Sequence, residues 1–499
     1  MKRLVLTTAI LTTTLSMGSV ATEPALTFQK LWSFHHGTDV DGLPAGQVSP
    51  PGQLSEIPAF DSRTNTIWVV GIVGVDVLDA DTGALVGHID VTSYGAVNSV
   101  AIHNGLAALA VEAGASPAPG RARPGRVLLY DTKTRTLAEG IHDIPVGALP
   151  DMLTFTHDGS KLLVANEATP NTYGARIGTT VPRVYGAAPG DPAGSVTIID
   201  METRTVIAAA GFSGVPIVGN NVRTTTGMDF EPEYIAITQD GTQAFVTLQE
   251  GNAIGVLDLT TNSFTQVIGL GAKDFSLEGN QIDPLNDGVV TFGSHAAKGL
   301  YMPDTIATHT WLGETYLVMA NEGDFREDDG DRSNASSLIG AGLELSNLRV
   351  SNTDSSASNL YAAGARSFSI RDKTGNIIYD SGDFLDKKAN ELGIYDDGRS
   401  RDKGVEPEGL TLLDLGGRTY AFVALERTLK SAVAIFDITD PTDVSFVDII
   451  VTDGDLSPEG LAAYKYRGQT YLAIANEVPG SSGFSNTTLY SLERVKPTR

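Results

Sequence analysis

Apolar residues along this chain come in short, β-branched runs, broken every few residues by Asp-Gly, Thr-Gly or Asn-Gly pairs. That is the pattern of strands and tight turns, and no amphipathic helix of useful length is predicted in the body of the chain. The runs recur as a unit: an inner strand, a hairpin and second strand, a third strand ending in Asp, a Thr-containing turn, and a fourth strand. The third strands align as Val75-Asp-Val-Leu-Asp79, Val127-Leu-Leu-Tyr-Asp131, Val196-Thr-Ile-Ile-Asp200, Ile254-Gly-Val-Leu-Asp258, Phe368-Ser-Ile-Arg-Asp372 and Val433-Ala-Ile-Phe-Asp437. Thr488-Leu-Tyr-Ser-Leu492 aligns without the Asp.

The units begin near residues 54, 97, 150, 232, 303, 407 and 458. Repetition at this scale predicts an all-β fold, a seven-bladed β-propeller spanning 22–499. The stretch Leu26 to Phe34 is predicted to pair with the last blade and close the ring, which removes an exposed sheet edge. Trp32 and Phe34 within it are expected to pack rather than bind. Three stretches exceed the repeat, 168–194, 271–302 and 323–365. Segments of that length are either functional or solvated, and the Ser- and Asn-rich part at 333–360 fits both descriptions equally.

Composition narrows the function. The chain has 499 residues, 35 Lys plus Arg against 60 Asp plus Glu, and no Cys. A formal charge of −25 disfavours nucleic acid, whose phosphates would be repelled. Without Cys there is no disulfide, thiolate–metal site or thiol nucleophile. Met1 to Ala21 reads as a secretory signal, with Lys2 and Arg3 ahead of an apolar stretch and Ser19-Val20-Ala21 at its end. No later run is long enough to span a bilayer and the polar tail carries no anchor signal, so a secreted or periplasmic, monomeric protein is expected.

The acidic residues fall in register with the repeat. In a propeller the start of each first strand and the end of each second strand lie at the same mouth of the central channel. First-strand starts carry Glu56, Asp151, Glu233, Asp304, Glu408 and Glu459, with Asn98 in the second unit. Second-strand ends carry Glu112, Glu167, Glu250, Glu322, Glu426 and Glu477. Like charges so placed raise one another's pKa, and a bound divalent cation relieves the repulsion. Oxygen ligands with few His favour calcium, or magnesium or manganese, over zinc or copper. Predicted metal ligands are Glu56, Asp151, Glu233, Asp304, Glu322, Asp324, Glu406, Glu408, Glu459 and Glu477. The third-strand aspartates, such as Asp79 and Asp258, are expected instead to bond their own turns on the opposite face.

Cations lie among these acids. Arg326 follows Asn321-Glu-Gly-Asp324, Arg427 follows Glu426, and Arg399, Arg401 and Lys403 precede Glu406. An arginine beside a carboxylate is ordinarily a salt bridge, but beside a metal group its planar fork also suits a phosphate.

Six ordered motifs carry a family resemblance: Ser55-Glu-Ile-Pro-Ala-Phe60, Tyr301-Met-Pro-Asp304, Ala320-Asn-Glu-Gly-Asp-Phe-Arg326, Asp402-Lys-Gly-Val-Glu-Pro-Glu-Gly409, Leu425-Glu-Arg427 and Ser457-Pro-Glu-Gly460. In these the chain resembles the choice-of-anchor I domain, a family that takes in mesenchyme-specific cell-surface glycoproteins and exported alkaline-phosphatase-like proteins. The resemblance implies a secreted propeller with a link to calcium or mineral deposition, and a phosphatase label.

Two function classes follow. In one, bound cations activate a water against a phosphate ester, with a Glu among Glu233, Glu322 and Glu408 as general base and Arg326 and Arg427 as clamps; Glu408, Glu322, Arg326 and Arg427 are the candidate catalytic residues. In the other, the same acids make a non-catalytic calcium-binding module that meets an extracellular matrix component. A lactonase or quinoprotein propeller lacks its motifs here, and no phosphate loop points to a nucleotide.

Overall fold

Hairpin corners show how the sequence sets the strands. Asn104-Gly105, Leu312-Gly313, Gly416-Gly417 and Arg467-Gly468 each take positive φ at both residues (50° and 80°, 51° and 84°, 61° and 80°, 49° and 81°). These are two-residue turns whose twist matches that of the flanking strands. Asn104-Gly105 and the glycine pair announce themselves in the sequence. Leu312 and Arg467 do not, because both adopt left-handed backbone without a side chain that favours it.

The computed structural model describes residues 26–37, 49–114, 120–169, 191–224, 230–325, 331–480 and 483–495. The predicted secretory segment, Met1 to Ala21, lies outside the described residues, as does most of the 168–194 stretch.

Sheets of four or five strands, antiparallel except where Ile217–Asn220 joins Ser263–Leu270 in parallel, follow one another along the chain. The first runs Pro58–Asp61, Thr66–Gly71, Gly74–Asp79 and Leu85–Asp90. Later sheets start with Val97–His103, Pro150–Phe155, Pro232–Ile237, Ile306–Trp311, Pro407–Leu415 and Pro458–Tyr466. In the sheet that starts at Pro458, the outer strand is Leu26–His35, which pairs antiparallel with Asn486–Arg494. The first strands touch in succession, and Pro58–Asp61 also meets Pro458–Tyr466. Sheets standing side by side on their first strands make a β-propeller.

Between sheets, the alternating inward residues form separate apolar layers. One contains Trp68, Val77, Leu109 and Leu128, and another Phe368, Val423, Phe436 and Leu385. Trp32 hydrogen-bonds the Ala80 carbonyl at 3.0 Å and packs with Phe34 on the layer around Ile67 and Leu489, so both are packing residues.

The third-strand aspartates behave as their turns require. Asp79 accepts from Thr82, Asp131 from Thr134, Asp200 from Thr203 and Asp258 from Thr260. Asp372 accepts from the Thr374 hydroxyl at 2.7 Å and from the N–H groups of Thr374 and Asn376. Asp372→Ala should therefore lower stability by ~1 kcal/mol in urea unfolding.

Two features that the sequence reading did not resolve matter for the site. The described parts of 271–302 and 323–365 pack on one another. They share a core of Phe275, Ile282, Ala335, Leu348, Val350 and Leu360, with Lys298–Leu300 bridging Ala272–Asp274 and Tyr361–Ala362. Sparse apolar positions in a polar stretch conceal this, since each half buries its few hydrophobes only against the other. The second is a helix, Phe384–Glu391, which buries Leu385 and Ala389. Two turns are too short for the 3.6-residue period to stand out in the sequence.

Candidate functional site at the mouth of the propeller

The acids on the first strands are aimed by a repeated local distortion. Pairing registers slip between Pro150 and Leu153, Pro232 and Ile235, Pro407 and Leu410, and Pro458 and Leu461. Each slip brackets the acid: Asp151, Glu233, Glu408 or Glu459. A β-bulge bends the strand and re-aims one side chain, here toward the channel. The residue before the proline takes left-handed backbone at Leu149 (φ 44°), Met302 (φ 43°), Glu406 (φ 51°) and Ser457 (φ 49°). Such conformations are unfavourable for bulky residues. Here they turn the carbonyl toward the neighbouring strand end, where Leu149, Glu406 and Ser457 accept from the N–H groups of Glu167, Glu426 and Glu477 at 2.9 to 3.0 Å. Gly409 and Gly460 follow two of the acids because a Cβ there would fall about 2 Å from the Glu459 and Glu56 carbonyls.

The second-strand acids are set by their neighbours. In Asn166-Glu167, Asn321-Glu322 and Asn476-Glu477 the Asn is buried and donates to the third strand: to Thr197 at 2.9 Å, Ser369 at 3.1 Å and Asn486 at 2.9 Å. That leaves the following Glu directed at the mouth.

The result is a polar cavity of about 530 Å³ whose lining, among the described residues, includes no apolar side chain. Of the residues predicted from sequence, Glu233, Asp304, Glu322, Asp324, Glu406, Glu408, Glu459, Glu477 and Arg427 line it. Asp151 lines a smaller adjoining space of about 120 Å³, together with Glu233, Asp304, Glu408 and Glu459. Glu56 lies against the same group and is pushed up to about 8, first by burial and then by Glu477, Asp151 and Glu112. Arg326 lies outside the described residues.

Two carboxylate nests stand out. In one, Asp151, Glu167 and Glu233 each offer an oxygen within 4.8 Å of the others. Burial, then the carboxylates of Glu167, Glu250 and Asp151, hold Glu233 well above the usual range. Glu250, 8% exposed, is raised by burial and by Glu231 and Glu167, and its Oε2 has no hydrogen-bond partner among the described residues. In the other, Glu322, Glu406 and Glu426 are equally close, and all three are buried.

Cations surround the second nest. Lys403 lies 2.5 Å from Glu322 Oε1 and 2.8 Å from Glu406 Oε2. The Arg399 Nε donates to Glu406 at 2.6 Å, and Arg427 pairs with Glu426 at 2.6 Å. Burial pushes Glu426 up to about 7, with Glu322 adding to it and Arg427 opposing. Burial, then Glu426, Glu322 and Glu459, raises Glu408 well above its ordinary value.

Sequence reading missed Gln249, which donates to Glu322 Oε2 at 2.8 Å, and Arg332, which enters the cavity from the 323–365 stretch. The Gln249-Glu250 pair stands where other units have Asn-Glu, which is the one cue to the former. Arg332 carried none. It also missed Arg223, buried against Asp331 at 3.0 Å and Asp354 at 2.9 Å, whose Nη1 donates to the Glu250 carbonyl at 3.0 Å.

Fold and site together define a β-propeller with an acidic, cation-bordered mouth. The family model of the choice-of-anchor I domain matches residues 56–441, and the chain belongs to that family. None of the curated proteins matches the sequence. Among solved structures, similar chains occur in the Kuenenia stuttgartiensis hydrazine synthase (12% identity, 92% of this chain and 100% of that one, TM-score 0.48) and in the mitotic checkpoint complex (12%, 98% and 99%, 0.49). A third is the Cps50 (Swd1) β-propeller domain of Myceliophteria thermophila (9%, 90% and 97%, 0.43). At these scores the likeness carries no argument, and the fold rests on the strand pairings themselves. No described helix is long and apolar enough to cross a membrane.

Proposed function

We propose that this chain is an exported, metal-dependent phosphoesterase, of the alkaline-phosphatase-like kind that the family resemblance implies, working at the acidic mouth of a seven-bladed propeller closed by its N-terminal strand. The pairing of Leu26–His35 with Asn486–Arg494, and the contact of the first and last inner strands, support the closed ring.

One observation carries the functional reading: carboxylates held against one another stand beside guanidinium groups in a single polar cavity. Asp151, Glu167, Glu233 and Glu250 fit a divalent ion, most simply calcium, because all are hard oxygen donors and Glu250 keeps a buried oxygen unpartnered. Such an ion supplies Lewis acidity and charge neutralisation. The protein's own groups do the rest. Arg427 and Arg399, with side chains 39% and 30% exposed, keep donors for phosphoryl oxygens. Glu408, raised above the usual carboxylate range by burial and by Glu426, Glu322 and Glu459, would move a proton at the leaving or attacking oxygen.

The test is turnover of a chromogenic phosphomonoester and phosphodiester with calcium, magnesium or manganese. Metal-dependent hydrolysis should exceed that of Glu408→Gln by about 100-fold, and no hydrolysis above that variant sinks the reading. Arg427→Ala should raise KM about tenfold with a smaller change in kcat, measured by steady-state kinetics.

A non-catalytic calcium-binding module is favoured by a different observation, since Arg399, Lys403 and Arg427 are each already bonded to a carboxylate. Calcium uptake without hydrolysis of any ester would select it.

A further inference from the structure

The two nests are chemically unlike, although each gathers three carboxylates. Around Glu233 the strongest influences after burial are other carboxylates. The nest of Glu322, Glu406 and Glu426 already contains an ammonium. Lys403 is 6% exposed, and its Nζ lies within 2.8 Å of oxygens from two of the three acids. The contact with Glu406 Oε2 is a buried ion pair at 2.8 Å. Gln249, Arg399 and Arg427 take further oxygens of the same acids.

We infer that Lys403 is a tethered cation filling the Glu322–Glu406–Glu426 nest, so that this nest takes no metal ion in the native protein while the Asp151–Glu167–Glu233 nest, with Glu250 beside it, does. This rests on the metal-binding reading above and deepens it: the mouth presents one exchangeable divalent ion and one fixed ammonium. A ligand spanning the nests would meet a metal on one side and Lys403 with Arg427 on the other. That suits a small anion with oxygens to share, such as a phosphate group.

The chain places Lys403 there by design of its loop. Gly404 follows with φ +68°, in a turn where a Cβ would lie 2.6 Å from Asp386 Oδ1. The next N–H, of Val405, donates to that same Asp386 oxygen at 3.1 Å. Asp386 is in turn paired with buried Arg366. The ammonium is therefore held by a bolted backbone, and its position does not depend on the carboxylates alone.

The experiment counts bound calcium per chain in the purified full-length protein after equilibrium dialysis. Lys403→Met should bind one more ion than the wild type, Lys403→Arg no more, and Glu322→Gln added to Lys403→Met should abolish the extra ion. In the wild type, Glu233→Gln should lower the count while Glu322→Gln leaves it unchanged. Equal counts in wild type and Lys403→Met overturn the inference, as does a wild-type count that falls on Glu322→Gln. Because removing a buried ammonium leaves three acids facing one another, thermal unfolding provides a second readout. Calcium should raise the Tm of Lys403→Met more than that of the wild type, and equal rises overturn the inference. An ion taken by Lys403→Met but none by the wild type would uphold the role of Lys403 while defeating the metal-dependent function.

Discussion

Freed of divalent ions by a chelator, the protein should lose stability steadily as pH rises from about 5 to 9, and saturating calcium should reverse that slope. The cause is the crowd of carboxyl groups at the mouth. Glu56 is pushed up to about 8 and Glu426 to about 7 from an ordinary 4.5, chiefly by burial and then by neighbouring acids. Glu233, Glu250, Asp304, Glu408 and Glu459 move in the same direction.

Between the ordinary value and these raised ones the folded chain binds more protons than the unfolded chain. Stability therefore falls as pH rises through that window. Asp76 has the opposite sign. Despite its burial, hydrogen bonds from His36, His88 and Ser49 hold it at about 2, so its contribution is present above about 4 and fades as pH falls toward 2. The ion-free protein should be most stable in mild acid. On the proposed metal-binding reading, calcium takes only ionised carboxylates, so its stabilisation should grow with pH, on the order of 10 °C in Tm at pH 8. Calorimetry across pH, with chelator and with calcium, measures both. A flat ion-free profile from pH 5 to 9 would remove the claim that these carboxylates press on one another.

Replacing Arg366 by Met should destabilise the protein by roughly 3–5 kcal/mol, because it strands a buried carboxylate. Arg366 is 2% exposed, 3.4 Å from Asp386, and donates to the backbone carbonyls of Ser400 at 2.5 Å and Asp402 at 3.0 Å. It thus ties the strand Ser367–Asp372 to the loop that carries Arg399, Lys403 and Glu406. Burial raises Asp386 above its ordinary value even with Arg366 opposing, so the lone acid would be costlier still. The loss should appear in urea unfolding and, on the proposed phosphoesterase reading, should bring weaker phosphate-ester turnover with it, since the Lys403–Glu322 pairing depends on that loop. Arg366→Met with Asp386→Leu should recover part of the stability, because an apolar pair of similar size demands no solvation. A single variant as stable as the wild type would show that the loop is held by other contacts.

Much of this was written locally. The repeat of β-branched runs, the Asp-Thr turns and the acids at fixed places in each unit depend on neighbours within a hairpin, and the hairpin is encoded in contiguous residues. Asn166, Asn321 and Asn476 anchor the acid beside each of them through bonds to the adjacent strand, so the Asn-Glu pairs were readable too. The shared core of the two insertions and the charge contacts of Arg332 and Arg366 were not readable, because each joins residues separated in sequence, and the helix Phe384–Glu391 was too short for its period to show.

By itself, then, the sequence determined a strand-rich repeat with its acids at the strand ends. Only the tertiary structure decided which of those acids face one another and which already hold a cation. Glu322 and Glu233 look alike in their motifs, yet Lys403 reaches one of them from 81 residues away. Electrostatic character depends on what the fold brings within a few ångströms, and Coulomb's law takes no account of position along the chain.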